Sequence, residues 1–179
     1  MDSPWNQWHL EIVLATCFLR DPPSPDLSAF NARMSAMQTK MLPPELQGIF
    51  FDFYWETTKS WRLPTPVTVV PFGDLAWHLD LPVWSTVRGQ MRFDLAPSSV
   101  LRDAVLYPLH WKRIIDAEIQ YPMEMFRNGG RWVILDGYHR LVRHYLNQNR
   151  KVPVRRHPEH FKPRILCSHD QADQRTSSN

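Results

Sequence analysis

Apolar residues alternate or cluster along this chain in runs that change period several times. "VTVV" at Val67 to Val70 is a β-branched run that reads as a strand, and after the proline that follows it comes a short helical stretch around Asp74 to His78. "YPMEMFRNGGRWVIL" reads as a hairpin, with strands over Tyr121 to Arg127 and Arg131 to Leu135 joined by an Asn-Gly-Gly turn. "LVRHYLNQNR" places Leu141, Tyr145 and Leu146 on one helical face, so a helix starting near Tyr138 follows the hairpin, and "KVPVRR" supplies a last strand. Upstream, "APSSVLRDAVLYPLHWKRIIDAEI" opens on Pro97 and Ser98 and is divided by Pro108, which predicts two short helices.

The first third of the chain reads differently. "LPPELQGIFFDFYWETTKSW" begins with prolines suited to a helix N-terminus and spaces Leu46, Ile49, Phe50, Phe53 and Tyr54 at helical intervals, predicting an amphipathic helix. Two further helices, Trp5 to Arg20 and Leu27 to Lys40, flank the proline break "DPPSPDLS". The expected organisation is a helical extension over 1–65, one domain over 66–168, and a disordered Gln-, Asp- and Ser-rich tail over 169–179. The strand at 152–156 is expected to be an exposed sheet edge.

Composition narrows the class. With 179 residues and 43% apolar content the chain can bury a core. Its longest apolar stretch, "LEIVLATCFL", is too short for a membrane span and carries Glu11. Cys17 and Cys167 form no CxxC, so a disulfide framework has no support and a cytoplasmic location is the expectation. The net charge of +3 hides an asymmetry: between Arg127 and Arg164 ten Lys/Arg stand against Asp136 and Glu159. Arginine outnumbers lysine 16 to 5, and its planar fork suits phosphate. The segment "RRHPEHFKPR", Arg155 to Arg164, reads as a basic arm for DNA, and the aromatic N-terminal region as a surface for a protein partner. His157 and His160 have metal-like spacing, but no third ligand accompanies them and cations surround them.

The candidate chemistry sits at the strand-to-helix seam "LDGYHR". A strand ending at Leu135, a turn at Asp136 and Gly137, and a helix from Tyr138 aim unpaired backbone N–H groups and the positive end of the helix dipole at one point, which favours an anion. Gly137 permits close approach of a ligand, Arg140 can fork onto phosphate oxygens, and His139 can donate or shuttle a proton near neutral pH. Asp136 has two readings: an N-cap for the helix, or a ligand for Mg²⁺ beside a nucleotide. Tyr138 packs against an adenine ring or is a structural aromatic; Arg143 touches a second phosphate or is solvated.

These residues also carry a resemblance. "VILDGYHRLVRHYLNQNRKVPVR" resembles the signature of the ParB/sulfiredoxin superfamily, in which a strand leads into a GxxR-type turn, a helix and an "IPV"-like strand. "EIQYPMEMF" and "VVPFGDL" resemble the strands that precede it, so the likeness covers about half the chain, Val67 to Arg156. It implies an α+β fold, a compact domain with a small mixed sheet flanked by helices. Sulfiredoxins have a cysteine where Tyr138 stands, and chromosome-partitioning ParB proteins have GERR and further DNA-binding and dimerisation regions, for which the 23 residues after Arg156 leave no room. The small single-domain members that remain bind ATP or ADP. They include free-serine kinases with a DGxHR-like turn and plasmid-borne proteins of the Osa type, for which ATPase and DNase activity in fertility inhibition is the family expectation.

Phosphoryl transfer needs positioned phosphates, neutralised charge and an oriented nucleophile. The turn supplies the first two, with Mg²⁺ as the expected companion of ATP. For a general base the carboxylates before the hairpin are candidates, Glu118 ahead of Asp116, with Asp74 and Asp80 as alternatives. The competing expectation is a non-catalytic inhibitory module that docks on another protein through its aromatic N-terminal region, since the chain has eight tryptophans and tryptophan anchors interfaces when exposed.

Overall fold

The computed structural model describes residues 42–166, apart from 52, 54 and 88–91. The predicted helices Trp5 to Arg20 and Leu27 to Lys40, both cysteines, Tyr54 and the 169–179 tail lie outside the described residues. In chain order the structure has helix α1 (Thr57–Trp61), strand β1 (Val67–Pro71), two 3₁₀ turns (Phe72–Asp74 and Ala76–Asp80), helices α2 (Pro97–Arg102) and α3 (Pro108–Ile115), strands β2 (Met123–Asn128) and β3 (Arg131–Asp136), helix α4 (Tyr138–Leu146), strand β4 (Lys151–His157) and helix α5 (Lys162–Ile165). The fold is α+β, with one mixed four-stranded sheet in the order β1-β4-β2-β3.

The hairpin forms as its sequence predicts. Gly129 and Gly130 both take positive φ, 54° and 78°, which closes the turn between β2 and β3 without steric cost. β4 then returns on the other side of β2, parallel to it, and β1 pairs antiparallel with β4 from Val67↔Arg155 to Pro71↔Lys151. The expectation of an edge strand at 152–156 is therefore corrected. β4 is interior because both of its flanks are paired, and Val152 and Val154 are fully buried in the core cluster with residues of α4. The edges are β1 and β3.

The outer edge of β3 is covered. The Ile134 N–H donates to Nε2 of His78 at 3.2 Å, and the Nδ1–H of His78 donates to the Leu75 carbonyl at 3.0 Å. Burial in the 3₁₀ segment holds the His78 pKa down to about 4, so the ring is neutral and can accept from a strand amide that would otherwise stand unpaired.

Alternation along the strands sends side chains to two faces. Met125, Ile134, Val152 and Val154 meet Tyr138, Leu141 and Val142 of α4, Val100 of α2 and Ile114 of α3. Phe126, Val133 and Leu135 point the other way, onto Phe51, Phe53, Leu63 and Ile165. The described part of the 1–65 region is thus one wall of the core, tied down by the Glu56 N–H to the Ile165 carbonyl at 2.8 Å and a bridge between Trp55 and Leu166.

The long amphipathic helix predicted over "LPPELQGIFFDFYWETTKSW" is not formed. Pro44–Leu46 makes a single 3₁₀ turn, Gly48 takes φ 71°, and helix returns only at α1. The aromatics explain why: Phe50 packs with Leu42, Leu46, Leu81 and Phe93, whereas Phe51 and Phe53 belong to the cluster under the sheet. One helical stripe cannot serve two clusters on diverging sides.

Candidate phosphate-binding site

The turn after β3 begins with a slip in the ladder. Glu124 pairs with Asp136 while Met125 pairs with Ile134, which leaves Leu135 as an extra residue and turns the last strand position. Asp136 is thus not the N-cap of α4; that position is Gly137, at φ 115° and ψ 17°, with no side chain to offer the helix. The first helical bond runs from the Leu141 N–H to the Gly137 carbonyl at 2.9 Å. The amides of Tyr138, His139 and Arg140 therefore open out of the helix end, where the dipole is positive.

Arg140 closes over this opening. Its Nη2 donates to Oδ2 of Asp136 at 2.6 Å, and both side chains are mostly buried, 15% and 23% exposed. The indole Nε1–H of Trp61 donates to the same oxygen at 3.1 Å. The Oδ1 atom of Asp136 has no hydrogen bond among the described residues. A Cβ built on Gly137 would stand 2.7 Å from Met123 Cγ and 3.0 Å from Arg140 Nε, so both φ and space require glycine here.

The other predicted site residues scatter. Tyr138 is 8% exposed and packs in the core near His78, its hydroxyl buried without a partner; that burial raises its pKa and removes the ring as an adenine platform. Arg143 is half-buried on α4. His144 is buried, accepting at Nδ1 from the Asn149 amide at 2.8 Å, and burial, followed by the charge of Arg140, lowers its pKa. Glu118 is exposed in the turn after α3, its side chain unbonded among the described residues, and Asp116 pairs with Lys112 at the surface. Neither carboxylate joins the turn. Asp80 is exposed, and Asp74 lies beside the hairpin end.

His139 faces away from the Asp136 pair. Its ring stacks on Trp84 at 4.4 Å, as does that of His110 at 4.6 Å, and the two imidazoles are 5.6 Å apart. Those separations put both rings on one face of the indole, joined edge to edge by His110 Nδ1 and His139 Nε2 at 3.3 Å. Because His110 Nε2–H donates to the Ser85 carbonyl at 3.1 Å, its Nδ1 is the acceptor and His139 Nε2–H the donor. Burial lowers the His110 pKa, which favours this neutral arrangement.

Comparison with protein-family models, curated proteins and solved structures finds no match for this chain.

The charged group that sequence reasoning missed is Glu124, 1% exposed on β2. Oε1 accepts from Arg155 Nε at 3.1 Å and Nη2 at 2.5 Å, and Oε2 accepts from His157 Nε2 at 2.6 Å. His157 Nδ1 meets the Thr65 hydroxyl at 2.8 Å, and Arg155 Nη1 donates to the Trp61 carbonyl at 2.9 Å. This network takes Arg155 and His157 out of the expected basic arm over Arg155 to Arg164: both are internal, and a fully buried His157 is held by Glu124 and Thr65, out of reach of a zinc ion shared with the exposed His160. A signal was present. An acid inside the apolar run "MEMF" needs a cationic partner, although Arg127 and Arg131 stand nearer in sequence than the "RRH" that supplies it.

No group of three or more His, Cys, Asp or Glu able to hold a metal occurs among the described residues. Mg²⁺ held with a nucleotide needs only one or two carboxylates besides the phosphates. Asp136, with one oxygen unoccupied at the helix start, fits that requirement.

Proposed function

We propose that the protein binds ATP or ADP with its phosphates on the first turn of α4 and hydrolyses the triphosphate there. The observation that carries this reading is the Arg140 guanidinium, fixed by Asp136 across a helix N-terminus that begins on glycine and has no side-chain cap. Three backbone amides, a positive dipole end and the remaining guanidinium N–H groups converge where a phosphate would sit. The likeness of the 131–156 segment to nucleotide-binding ParB/sulfiredoxin members supports a nucleotide as that anion, and DNA nicking in a fertility-inhibition role rests on that likeness alone.

In this reading Arg140 and the amides of residues 138–140 orient the phosphates and stabilise charge as it develops. Asp136 Oδ1 would hold Mg²⁺, which would supply charge neutralisation to the phosphates. Trp61 keeps the carboxylate aimed by occupying Oδ2. The competing docking reading loses support among the described tryptophans. Only Trp61 is exposed, at 43%, and its N–H is engaged with Asp136.

Calorimetric titration with ATP and Mg²⁺, followed by phosphate release and plasmid nicking on the same samples, tests the proposal. Wild type binds in the micromolar range and releases phosphate; Arg140→Ala, with its circular dichroism spectrum intact, binds at least roughly tenfold more weakly, the loss expected for a charged hydrogen bond. Wild-type protein that binds no ATP at millimolar concentration overturns it.

A further inference from the structure

At the opposite end of β3 from Asp136, a pocket of about 390 Å³ opens between the hairpin turn and the 3₁₀ segment Ala76–Asp80. Trp77, Trp132, Arg131, Arg156 and Asp74 line it. Each arginine lies over an indole: the Cζ of Arg131 is 5.8 Å from the Trp77 ring centre, and that of Arg156 is 5.5 Å from the Trp132 ring centre. Trp132 on β3 and Arg156 on β4 flank β2, where they pair with Arg127 and Met125. The Nε of Arg156 is buried and has no hydrogen-bond partner, and a guanidinium N–H removed from water without an acceptor is costly. The pocket therefore holds a cationic donor short of an acceptor, beside two aromatic surfaces.

We propose that this pocket takes one nucleotide of a single-stranded nucleic acid, its base against Trp132 and its phosphates on Arg131 and Arg156. The pairing of π-faces with guanidinium groups is the combination that single strands use, because every base offers a face for stacking and every link a phosphate. A duplex hides those faces. An acidic peptide would satisfy the arginines and leave the indoles unused. The volume lies at the small end of the roughly 300–1,000 Å³ range for ligand pockets, which suits one nucleotide. Arg131 is exposed and free to swing from the Trp77 ring to a phosphate. Arg127, also exposed, extends the cationic path along the hairpin. The site is separate from the turn: Arg131 and Asp136 lie five positions apart on β3, about 17 Å at strand spacing. It does not depend on ATP binding there.

The test is fluorescence anisotropy of the full chain with fluorescein-labelled dT12 at low salt, with unlabelled thymidine monophosphate and a duplex of equal length as competitors. Wild type binds dT12 and its tryptophan emission changes. Arg131→Ala and Arg156→Ala each weaken binding, and each lowers the slope of log affinity against log salt by about one. Trp132→Leu weakens it by roughly tenfold, as loss of a stacked base predicts, where its melting curve shows it folded. Arg140→Ala leaves dT12 binding unchanged, so failure here and failure of the ATP site are read separately. The proposal is overturned if wild type does not bind dT12 at about 100 µM, if both arginine variants bind as wild type does, if the duplex competes as well as the single strand, or if the monophosphate competes as well as dT12.

Discussion

Two arginine–carboxylate pairs lie on one row of the sheet and have opposite fates. Glu124 faces Asp136 across β2 and β3 and faces Arg155 across β2 and β4. The Glu124–Arg155 pair is closed, because the carboxylate is 1% exposed and both of its oxygens are taken by Arg155 and His157. The Asp136–Arg140 pair is open on one side, with Oδ1 and part of the guanidinium unused beside an uncapped helix start. Trp61 connects the two, accepting from Arg155 through its carbonyl and donating to Asp136 through its indole. The same chemistry is thus structural where water and ligands are excluded, and available for function where a bulge and a glycine open it.

The largest expected difference is in stability. Glu124→Gln leaves Arg155 and His157 buried without their anion and costs about 3–5 kcal/mol, read as a lower urea midpoint. Asp136→Asn keeps an acceptor for Arg140 and Trp61 and costs about 1–3 kcal/mol, less than Glu124→Gln, yet abolishes phosphate release. Equal stability losses in the two variants would erase the distinction between closed and open pairs.

Acid acts on a third element of the fold. His78 is neutral in the folded protein, with a pKa near 4 against an ordinary 6.5. Its contribution is fully present above pH 6.5 and is lost as pH falls from 6.5 toward 4, because the unfolded chain binds the proton first. The loss approaches roughly 3 kcal/mol. His78→Asn flattens the stability profile over that window, and a variant that keeps the full slope would assign the acid sensitivity elsewhere.

Smaller effects sharpen the open side of the comparison. Gly137→Ala forces a Cβ against Met123 and Arg140 at a left-handed backbone position, costing about 1–3 kcal/mol and displacing the guanidinium from the helix start. Nucleotide affinity falls with it; stability lost with affinity intact would show that Arg140 does not need its present position. Trp61→Phe removes only the indole donor to Asp136. It shifts stability by less than about 1 kcal/mol and phosphate release by a few fold.

How much of this was legible in the sequence follows from which interactions are local. The hairpin, β1, α4 and the division of α2 from α3 at Pro108 all rest on short-range signals, namely β-branched runs, an Asn-Gly-Gly turn and helix-starting prolines; the strands appear within a residue or two of their expected spans, and the helices begin where expected but end earlier. The Asp136–Arg140 pair was not read from the sequence, because Asp136 ends β3 and stands outside the helix on which an i,i+4 spacing brings side chains together. Long-range pairings were not readable. Glu118 is close to the turn in chain order alone, while Glu124, the acid the sheet joins to Arg155 and His157, lies within a strand. The His139 ring is set by Trp84 and His110, from two other segments, which no local pattern around His139 signals. The aromatic spacing from Leu46 to Phe53 matches a helical period, but those side chains divide between two clusters.

The central claim is that a phosphate binds the uncapped first turn of α4. Its most direct measurement is the two-dimensional amide NMR spectrum of isotope-labelled protein during titration with ADP. The Tyr138, His139, Arg140 and Leu141 amides and the Trp61 indole N–H are expected to shift first and saturate together. Movement confined to other residues, with the 138–141 amides unchanged at saturation, would contradict it.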